Sequence, residues 1–494
     1  MAFKWKNWYL PAALLLLGIF SLTALILSLV GIHNVMQPAG NKYGLVFDAG
    51  SSHTSLFIYQ WPTDKENNTG VVSQTFSCHV NGPGISSYAD NPPQAGASLR
   101  KCLDEAMTVI PRERQLETPA YLGATAGMRL LRKKNATASA QVLEAVGKAI
   151  QKYPVSFRGA RIITGEDEGA YGWITINYLL ESFTKYSAKS RDWIHPRSAS
   201  IRGALDLGGA STQISFVPSG HIADPAEAVH FRLYGFDYAI YTHSYLCYGQ
   251  NQVLKQAIRI LVNSSSSARI DHPCYPVGYN ESIVISDLYD SPCAKHLAPP
   301  LLLWNVTLVG TGNATLCRET FRKTFDSSSC SYNGSCGLNG VYQPKVNGKF
   351  LAFSAYYYTF YFLNLTKTKP LDTVKVTIQT FCSREWKDVK SSYPREKEEH
   401  LKNYCASANY ILTLLLDGYG FSADTWGNIA FQMQATNSDI GWTLGYMLNL
   451  TNMIPPEAPR QLKGHEEPVW VASVVFIAAT LVLCLVLLLL QALR

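Results

Sequence analysis

Hydrophobic and polar positions along the 494-residue chain first separate its two ends from its middle. Residues 10–30 are uncharged and mostly apolar and follow Lys4 and Lys6, and residues 469–490 form a second such run with only Arg494 charged beyond it. Because a helix of about 20 apolar residues crosses a bilayer, both runs are predicted to be transmembrane helices. A cleaved signal peptide is the alternative for the first run, but this run exceeds an ordinary signal core and no clear cleavage site of small residues follows it.

The lysines before the first run set the expected orientation. Positively charged residues favour the cytoplasmic side, so Lys4 and Lys6 place the N-terminus inside the cell, and the second span returns the C-terminus to the same side. The residues between the two spans are therefore expected outside the cell, at the plasma membrane.

In the middle of the chain, short apolar strands alternate with segments of helical periodicity. Strands are predicted at Tyr121–Thr125 and Arg161–Thr164, and helices at Ala138–Lys152, Glu166–Phe183 and Tyr404–Tyr419. Such alternation is typical of α/β domains in which helices cover a sheet. The length exceeds that of one ordinary domain, so two lobes are expected.

An internal repeat supports two lobes. Residues 44–59 read GLVFDAGSSHTSLFIY and residues 203–217 read GALDLGGASTQISFV, and their alignment pairs Asp48 with Asp206. Each segment is an apolar strand, an Asp-x-Gly turn and a second strand rich in β-branched or aromatic residues. One copy could be a simple structural turn, but two copies indicate two related lobes that open with the same hairpin.

The two turns have the composition of a phosphate site. Small residues let backbone N–H groups converge on an anion, and serine or histidine side chains add donors. The predicted phosphate-binding residues are Ser51, Ser52 and His53 in the first turn, and Gly208, Gly209, Ala210, Ser211 and Gln213 in and after the second. Asp48 and Asp206 would repel phosphate on their own, so they are predicted to hold Ca²⁺ or Mg²⁺ through its waters. No Walker loop, G-x-x-x-x-G-K-[ST], occurs.

Hydrolysis also needs a group that deprotonates water, and the segment Ile163–Trp173, where a strand gives way to a helix, offers candidates. It carries three acids, of which Glu166 and Glu168 cannot be separated by spacing alone, and acids in a first helical turn can also simply suit the helix dipole. Thr125 ends another predicted strand. Its side chain is expected to bind the attacking water or a phosphate oxygen, and the alternative is that it only caps a helix.

His243 and the aromatic run Tyr356–Tyr358 can each be structural or functional. His243 is interpreted as a structural histidine. The aromatic run Tyr356–Tyr358 either belongs to the core or, if it forms a strand with alternating faces, exposes one ring to stack on a base.

Cysteines and sequons agree with an extracellular location. Ten of the eleven cysteines lie between the two apolar runs, an even number that suits five disulfides, and Cys484 lies inside the second run. Their spacings lack paired C-x-x-C, so a zinc site is not expected from them. Nine glycosylation sequons lie in the same segment, at Asn67, Asn135, Asn263, Asn280, Asn305, Asn313, Asn333, Asn364 and Asn449.

The charge pattern argues against nucleic acid as a partner. The net charge is +7, but only 16% of residues are charged and the basic ones are scattered. A protein that follows a nucleic-acid backbone would carry a basic block or stripe.

Five segments of the chain resemble, in order, the conserved regions of the ecto-nucleoside triphosphate diphosphohydrolase (ecto-apyrase) family: DAGSSHT, ATAGMRLL, GEDEGAYGWIT, DLGGASTQ and DIGWTLGYMLNLTN. The two spans and ten extracellular cysteines are similar to the cell-surface members, among which a liver type is the candidate. The resemblance implies an α/β fold with two ribonuclease-H-like lobes of the actin/Hsp70/sugar-kinase superfamily and an active site in the cleft between them. It also implies hydrolysis of extracellular ATP, ADP, UTP and UDP to monophosphates and orthophosphate, which would terminate or tune purinergic signalling.

The resemblance assigns roles that the residues alone leave open. The family's catalytic base matches Glu168, Thr125 and Trp442 match further active-site positions, and Tyr358 matches an aromatic residue that stacks on the base. The implied disulfides are Cys78–Cys102, Cys247–Cys293, Cys274–Cys317, Cys330–Cys336 and Cys382–Cys405. One departure lies after Cys247, where relatives often carry Arg-Asp and this chain has Gln250-Asn251; a ribose or base contact from that loop is therefore not expected.

These expectations together give an organisation for the whole chain. The membrane-proximal lobe is expected to combine 32–163 with 435–462, and the second lobe is 164–434 with a disulfide-rich excursion. The flanking segments are a cytoplasmic tail at 1–9, a span at 10–31, a linker at 463–468, a span at 469–490 and a tail at 491–494. Two spans per chain could also support a homo-oligomer. The alternatives are a sugar kinase of the same superfamily and a glycosylated adhesion or receptor protein with an inactive cleft.

Overall fold

A computed structural model describes the chain at residues 9–29, 40–63, 65–66, 69–187, 192–194, 201–294, 305–326, 330, 332, 335–367, 369–436, 438–454 and 467–492. The strands are β1 (Asn41–Ala49), β2 (Thr54–Pro62), β3 (Lys65–Glu66), β4 (Thr69–Gly70), β5 (Ser73–His79), β6 (Pro119–Ala124), β7 (Ser156–Ile162), β8 (Lys185–Ser187), β9 (Asp192–Ile194), β10 (Gly203–Leu207), β11 (Ser211–Phe216), β12 (Ala228–Leu233), β13 (Phe236–Leu246), β14 (Arg269–His272), β15 (Asn280–Val284), β16 (Asn305–Gly310), β17 (Phe350–Ser354), β18 (Ile429–Phe431), β19 (Gln434–Ala435) and β20 (Ser438–Asp439).

The helices are α1 (Tyr9–Leu29), α2 (Pro92–Ser98), α3 (Arg100–Val109), α4 (Arg112–Gln115), α5 (Ala126–Lys134), α6 (Ala136–Ile150), α7 (Gly165–Leu179), α8 (Gln250–Asn263), α9 (Ile285–Tyr289), α10 (Ala314–Arg322), α11 (Ala355–Phe362), α12 (Leu371–Cys382), α13 (Trp386–Ser392), α14 (Glu398–Leu401), α15 (Tyr404–Thr413), α16 (Ala423–Trp426), α17 (Trp442–Thr451) and α18 (Glu467–Ala492). Short 3₁₀ turns lie at Ile85–Tyr88, Pro225–Glu227, Pro292–Ala294 and Leu338–Gly340, and a π-helical turn, Leu414–Gly418, follows α15.

The chain divides into two compact units. The first holds the terminal helices α1 and α18 together with 62–64, and the second comprises 42–61 and 65–455. In the first unit, α1 packs along α18. Within the described residues, one helix is long and apolar enough to cross a membrane, with a 20-residue segment Val471–Leu490 of mean hydropathy 3.1. The apolar part of α1, Pro11–Ile26, is shorter. Residues 1–8 of the tail predicted at 1–9, and residues 463–466 of the linker predicted at 463–468, lie outside the described residues.

The second unit is built on two sheets that share one strand order. The first sheet is β5-β2-β1-β6-β7, and the second is β12-β13-β11-β10-β17-β18. In each, the strand that carries the repeated aspartate has its hairpin partner on one side and a parallel strand on the other. The structure is therefore an α/β fold of two lobes, and the internal repeat predicted from the sequence corresponds to this shared order. The predicted lobe boundaries, 163/164 and 434/435, stay predictions.

Each sheet has its own apolar core, and a third core cluster joins them. The helices α7 and α17 contribute nearly half of this third cluster, and residues from both sheets, such as Val46 and Phe353, contribute to the rest. The smaller sheet β14-β16-β15 lies in the predicted excursion and has a separate cluster around Leu308.

Where α7 contacts α17, a threonine hydroxyl bridges a backbone carbonyl and a backbone N–H group in the first turn of α17. The Thr175 hydroxyl donates to the Gly441 carbonyl (2.6 Å) and accepts from the Gly445 N–H (2.8 Å), so it closes the first turn of α17. At Gly445 a Cβ atom would lie 2.0 Å from the Tyr171 carbonyl oxygen, which shows how closely the two backbones approach.

Five disulfides link the second unit, and they are the pairs that the family resemblance implies: Cys78–Cys102, Cys247–Cys293, Cys274–Cys317, Cys330–Cys336 and Cys382–Cys405. Cys484 is free and buried on α18. Of the predicted glycosylation sites, six are exposed, namely Asn135, Asn263, Asn280, Asn305, Asn313 and Asn364. Asn449 is partly buried within α17, and Asn67 and Asn333 lie outside the described residues. Glycosylation stays a prediction.

We expect Gly445→Ala to destabilise the second unit, because the added methyl group cannot fit against the Tyr171 carbonyl without moving α7 from α17. The cost should be about 1–3 kcal/mol, the usual range for overpacking a core. Gly427→Ala is the matched control, since its Cβ would meet open space. Thermal unfolding of the detergent-solubilised full-length protein measures both, and equal midpoints for the two variants would contradict the close packing.

Candidate functional site

The two predicted turns face each other across a gap between the sheets. Asp48 is the last residue but one of β1, opposite Gly123 of β6, and Asp206 occupies the matching place in β10. A Cβ atom on Gly209 would lie 2.6 Å from the Ser51 hydroxyl oxygen, so the two turns come close enough for the Ser51 side chain to reach Gly209. The structure thus brings both repeats to one cleft.

The second turn keeps backbone donors available. Its carbonyls at Gly208 and Gly209 accept from the Gln250 and Asn251 N–H groups at the start of α8, both at 2.8 Å. In the described part of the chain, the N–H groups of Gly209 and Ala210 donate to no backbone carbonyl. The helix therefore fixes the turn through its carbonyls and leaves N–H groups that can bind an anion.

Three carboxylates lie close together beneath the turns. Burial raises the pKa of Asp48 to about 7. The contact with the Trp442 indole opposes this rise, and the Glu168 charge adds to it. Burial also raises the pKa of Asp206 to about 7, with further contributions from Glu168 and Asp48, against a hydrogen bond from Ser354. Each acid therefore makes ionisation of the others less favourable, and a cation would relieve that cost.

Glu168 is held by two side-chain donors. Its Oε2 accepts from Arg129 (2.7 Å) and from the Gln213 amide (3.1 Å), and both donors also reach the Ser211 hydroxyl, at 3.0 and 2.8 Å. Burial raises the pKa of Glu168, and the Arg129 charge opposes that rise. The neighbouring Glu166 is only partly buried, so of the two acids that the sequence could not separate, Glu168 is the one fixed in the cleft.

Thr125 and Trp442 complete the walls of the cleft. Thr125 precedes α5 and is buried, but its side chain makes no capping hydrogen bond. Trp442 begins α17, is buried beside Asp48, and packs so closely on Gly123 that a Cβ there would lie 2.2 Å from the indole ring. Of the first turn, Ser51 is partly buried, whereas Ser52 and His53 are exposed.

A model of the GDA1/CD39 (nucleoside phosphatase) family matches residues 34–464. The chain belongs to the GDA1/CD39 family. The family predicted from five ordered motifs is therefore confirmed.

Relatives of the same family cover nearly the whole chain. The chain is 54% identical over 481 residues to ectonucleoside triphosphate diphosphohydrolase 8 of Bos taurus, with 97% of each protein covered, and 53% identical over 466 residues to that of Homo sapiens, with 94% of each covered. Among solved structures, a nucleoside triphosphate hydrolase of Neospora caninum matches with a TM-score of 0.60 at 13% identity, covering 88% of this chain and 96% of that one. This likeness supports the two-lobe α/β fold.

In this member of the GDA1/CD39 family, the fit to a divalent cation can be tested on the acids themselves. The Oδ1 atoms of Asp48 and Asp206 are buried without a hydrogen-bond partner. Within the described residues, no group of three or more His, Cys, Asp or Glu side chains could hold a metal ion directly. The orphaned oxygens and the repelling charges fit a hydrated cation bound through water, as predicted from the sequence.

The aromatic run, His243 and Gln250 lie outside the cleft floor. The aromatic run lies on helix α11 and not on a strand, so alternation does not decide which ring is exposed; helical geometry buries Tyr356 and leaves Tyr358 51% exposed. His243 pairs with Glu227 at 2.8 Å, which agrees with a structural role. Gln250 donates to the Ser407 hydroxyl at 2.8 Å.

Arg129 is the site residue that the sequence reasoning missed. It lies within the quoted segment ATAGMRLL, one helical turn after Thr125, and that spacing places both on the same face of α5. Besides Glu168 and Ser211, it donates to the Ile163 carbonyl at 3.1 Å. A basic residue one turn after a candidate site residue was the available signal.

We expect Arg129→Ala to destabilise the protein by about 3–5 kcal/mol, because it leaves Glu168 buried without its charge partner. The folded-state pKa of Glu168 would rise further, so the loss should be largest at pH 8 and should shrink as the pH falls and the acid is protonated. Chemical denaturation at pH 5 and pH 8 measures this, with Arg132→Ala, exposed on the same helix, as the control. A loss that does not change with pH would contradict the electrostatic role.

Proposed function

We propose that this chain hydrolyses extracellular nucleoside triphosphates and diphosphates to monophosphates and orthophosphate. The observation that carries the proposal is the position of Glu168, a buried acid held by Arg129 and Gln213 beside two aspartates and two facing turns. Its relatives in Bos taurus and Homo sapiens are ectonucleoside triphosphate diphosphohydrolases, a name that denotes the same reaction class. Regulation of purinergic signalling by removal of ATP, ADP, UTP and UDP follows from that activity.

In this proposal the residues of the cleft act on the attacking water, on the phosphates or on the base, or they support another residue of the site. Glu168 accepts a proton from the water, and Thr125 orients that water or a phosphate oxygen. The phosphates bind to the two turns, through Ser51, Ser52, His53, Gly208, Gly209, Ala210, Ser211 and Gln213. Trp442 supports Asp48, and the exposed Tyr358 stacks on the base.

Asp48 and Asp206 would hold Ca²⁺ or Mg²⁺ through water. Such an ion, when bound, offsets the negative charge of the phosphates and of the three acids. The orphaned oxygens of the two aspartates and their raised pKa values support this assignment.

The fold is proposed to be that of the actin/Hsp70/sugar-kinase superfamily, with two ribonuclease-H-like lobes. The shared strand order of the two sheets supports this assignment. A sugar kinase would need a second acceptor substrate, and transfer of labelled phosphate to water alone would exclude it.

The proposed topology has two spans, with both termini in the cytoplasm and the catalytic unit outside. The 21-residue length of α1 and its packing along α18 support the first span, where Gly18 faces the Cys484 side chain. Contacts between such helices of neighbouring chains could support a homo-oligomer. Terminal tags that stain only after permeabilisation would support the topology, and staining of either tag on intact cells would contradict it.

We expect Glu168→Gln to lower the turnover of ATP and ADP on intact cells by about 10²–10⁴-fold, the usual contribution of a general base. Glu166→Gln is the matched control and should retain most activity, since Glu166 does not join the cleft network. A time course of ATP, ADP, AMP and orthophosphate measures the reaction and its sidedness together. Surface staining checks delivery, and near-normal turnover by Glu168→Gln would overturn the assignment of the base.

We also expect EDTA to stop hydrolysis and Ca²⁺ or Mg²⁺ to restore it. Because the pKa values of Asp48 and Asp206 are about 7 without an ion, protons compete with the cation, so more cation should be needed for half-maximal activity at pH 6 than at pH 8. Titration of Ca²⁺ at both pH values measures the shift. Full activity in the chelator would contradict the role of the cation.

A further inference from the structure

Two histidines lie side by side at the rim of the first turn. Strands β2 and β5 are antiparallel and pair Ser55 with His79, which places His53, two residues before Ser55, diagonally across on the same face. The two imidazole rings have centroids 5.3 Å apart with an interplanar angle of 36°. Both side chains are exposed, so an ion can reach them from solvent.

The separation of the rings fits two ligands of one tetrahedral metal ion. A Zn–N bond is about 2.0–2.1 Å, which places each ring centroid about 3 Å from the metal and, at a tetrahedral angle, the two centroids about 5 Å apart.

The surroundings of His53 also favour metal binding. Its Nδ1 lies 3.1 Å from the Ser52 hydroxyl, so the tautomer in which Nδ1–H donates to Ser52 leaves Nε2 free as a ligand, with Ser52 as its orienting partner. The pKa of His53 is lowered by desolvation and by the nearby His79, which favours the neutral imidazole that a metal requires.

We propose that His53 and His79 bind a transition-metal dication of the Zn²⁺ class, and that the bound ion inhibits hydrolysis. Imidazole nitrogen suits Zn²⁺ and Cu²⁺, whereas Ca²⁺ and Mg²⁺ take oxygen ligands, so this pair is distinct from the cation site of Asp48 and Asp206. Two protein ligands leave two coordination positions for water or for a phosphate oxygen. The inhibition rests on the proposed function. An ion bound to His53 would prevent this side chain from binding the substrate phosphate, and it would also retain phosphate in the cleft.

Direct binding tests the site without any activity. Purified full-length protein in detergent, saturated with Ca²⁺ to occupy the carboxylate site, is titrated with Zn²⁺ in competition with a chromophoric chelator. We expect His79→Ala to weaken the tightest site by about tenfold or more, since even the loss of an outer partner of a metal ligand costs about 10–100-fold. His230→Ala, which removes an exposed histidine on β12, should bind Zn²⁺ as the parent does. Equal binding by the parent and His79→Ala would overturn the proposal.

Activity then tests the consequence. At saturating Ca²⁺, we expect Zn²⁺ to inhibit the parent and His230→Ala at concentrations about tenfold or more below those needed for His79→Ala, following the loss of affinity. Retained hydrolysis by His79→Ala without Zn²⁺ shows that the variant is folded, and His79→Gln provides a second variant if it is not. Equal sensitivity of all variants would overturn the inhibitory role. Absence of nucleotide hydrolysis in the parent would refute the proposed function and leave the binding result intact.

Discussion

The clustering of three acids at one point constrains the rest of the structure. Asp206 and Glu168 are buried, and Asp48 is partly buried with one oxygen atom inaccessible. The Glu168 charge raises the pKa of both aspartates. Such a cluster is stable only where compensating groups are fixed around it. Arg129 compensates Glu168 directly, and the two aspartates retain buried oxygens without a partner. The incompletely compensated acids therefore destabilise the folded protein but can bind a ligand, as is typical of a functional site.

Rigid packing behind the acids holds this arrangement in place. Helix α7 carries Glu168, and α17 carries Trp442 beside Asp48. The Thr175 hydroxyl joins the two helices, and the glycine at 445 lets their backbones come together. The acid and the tryptophan are therefore positioned by one helix pair, which also contributes to the core cluster between the sheets.

Local signals allowed much of the fold to be predicted from the sequence. The repeated hairpins, the α/β alternation and the helices α6 and α7 depend on short patterns, so their existence could be predicted and their ends were off by a few residues. The strand expected at Arg161–Thr164 overlaps only the last two residues of β7, whose glycine at 159 interrupts the apolar pattern, and Thr164 instead caps α7. The predicted helix Tyr404–Tyr419 changes from α to π at Leu414, a change that depends on tertiary packing.

The site was less accessible to the same reasoning, because it depends on contacts between distant segments. No local pattern separates Glu168 from Glu166; the distinction comes from Arg129 and Gln213, which are far away along the chain. The exposure of Tyr358 follows from the helical start of α11, where Ser354 adopts a positive φ of 57° that no sequence pattern indicated. Family resemblance supplied the role of Glu168, which composition and spacing did not.

The contact of Gly209 with Ser51 has a mechanical consequence. A methyl group on Gly209 would lie 2.6 Å from the Ser51 hydroxyl oxygen, so the two turns can come closer at this point only if the Ser51 side chain rotates away. The Ser51 hydroxyl therefore acts as a spacer that sets the distance between the two turns.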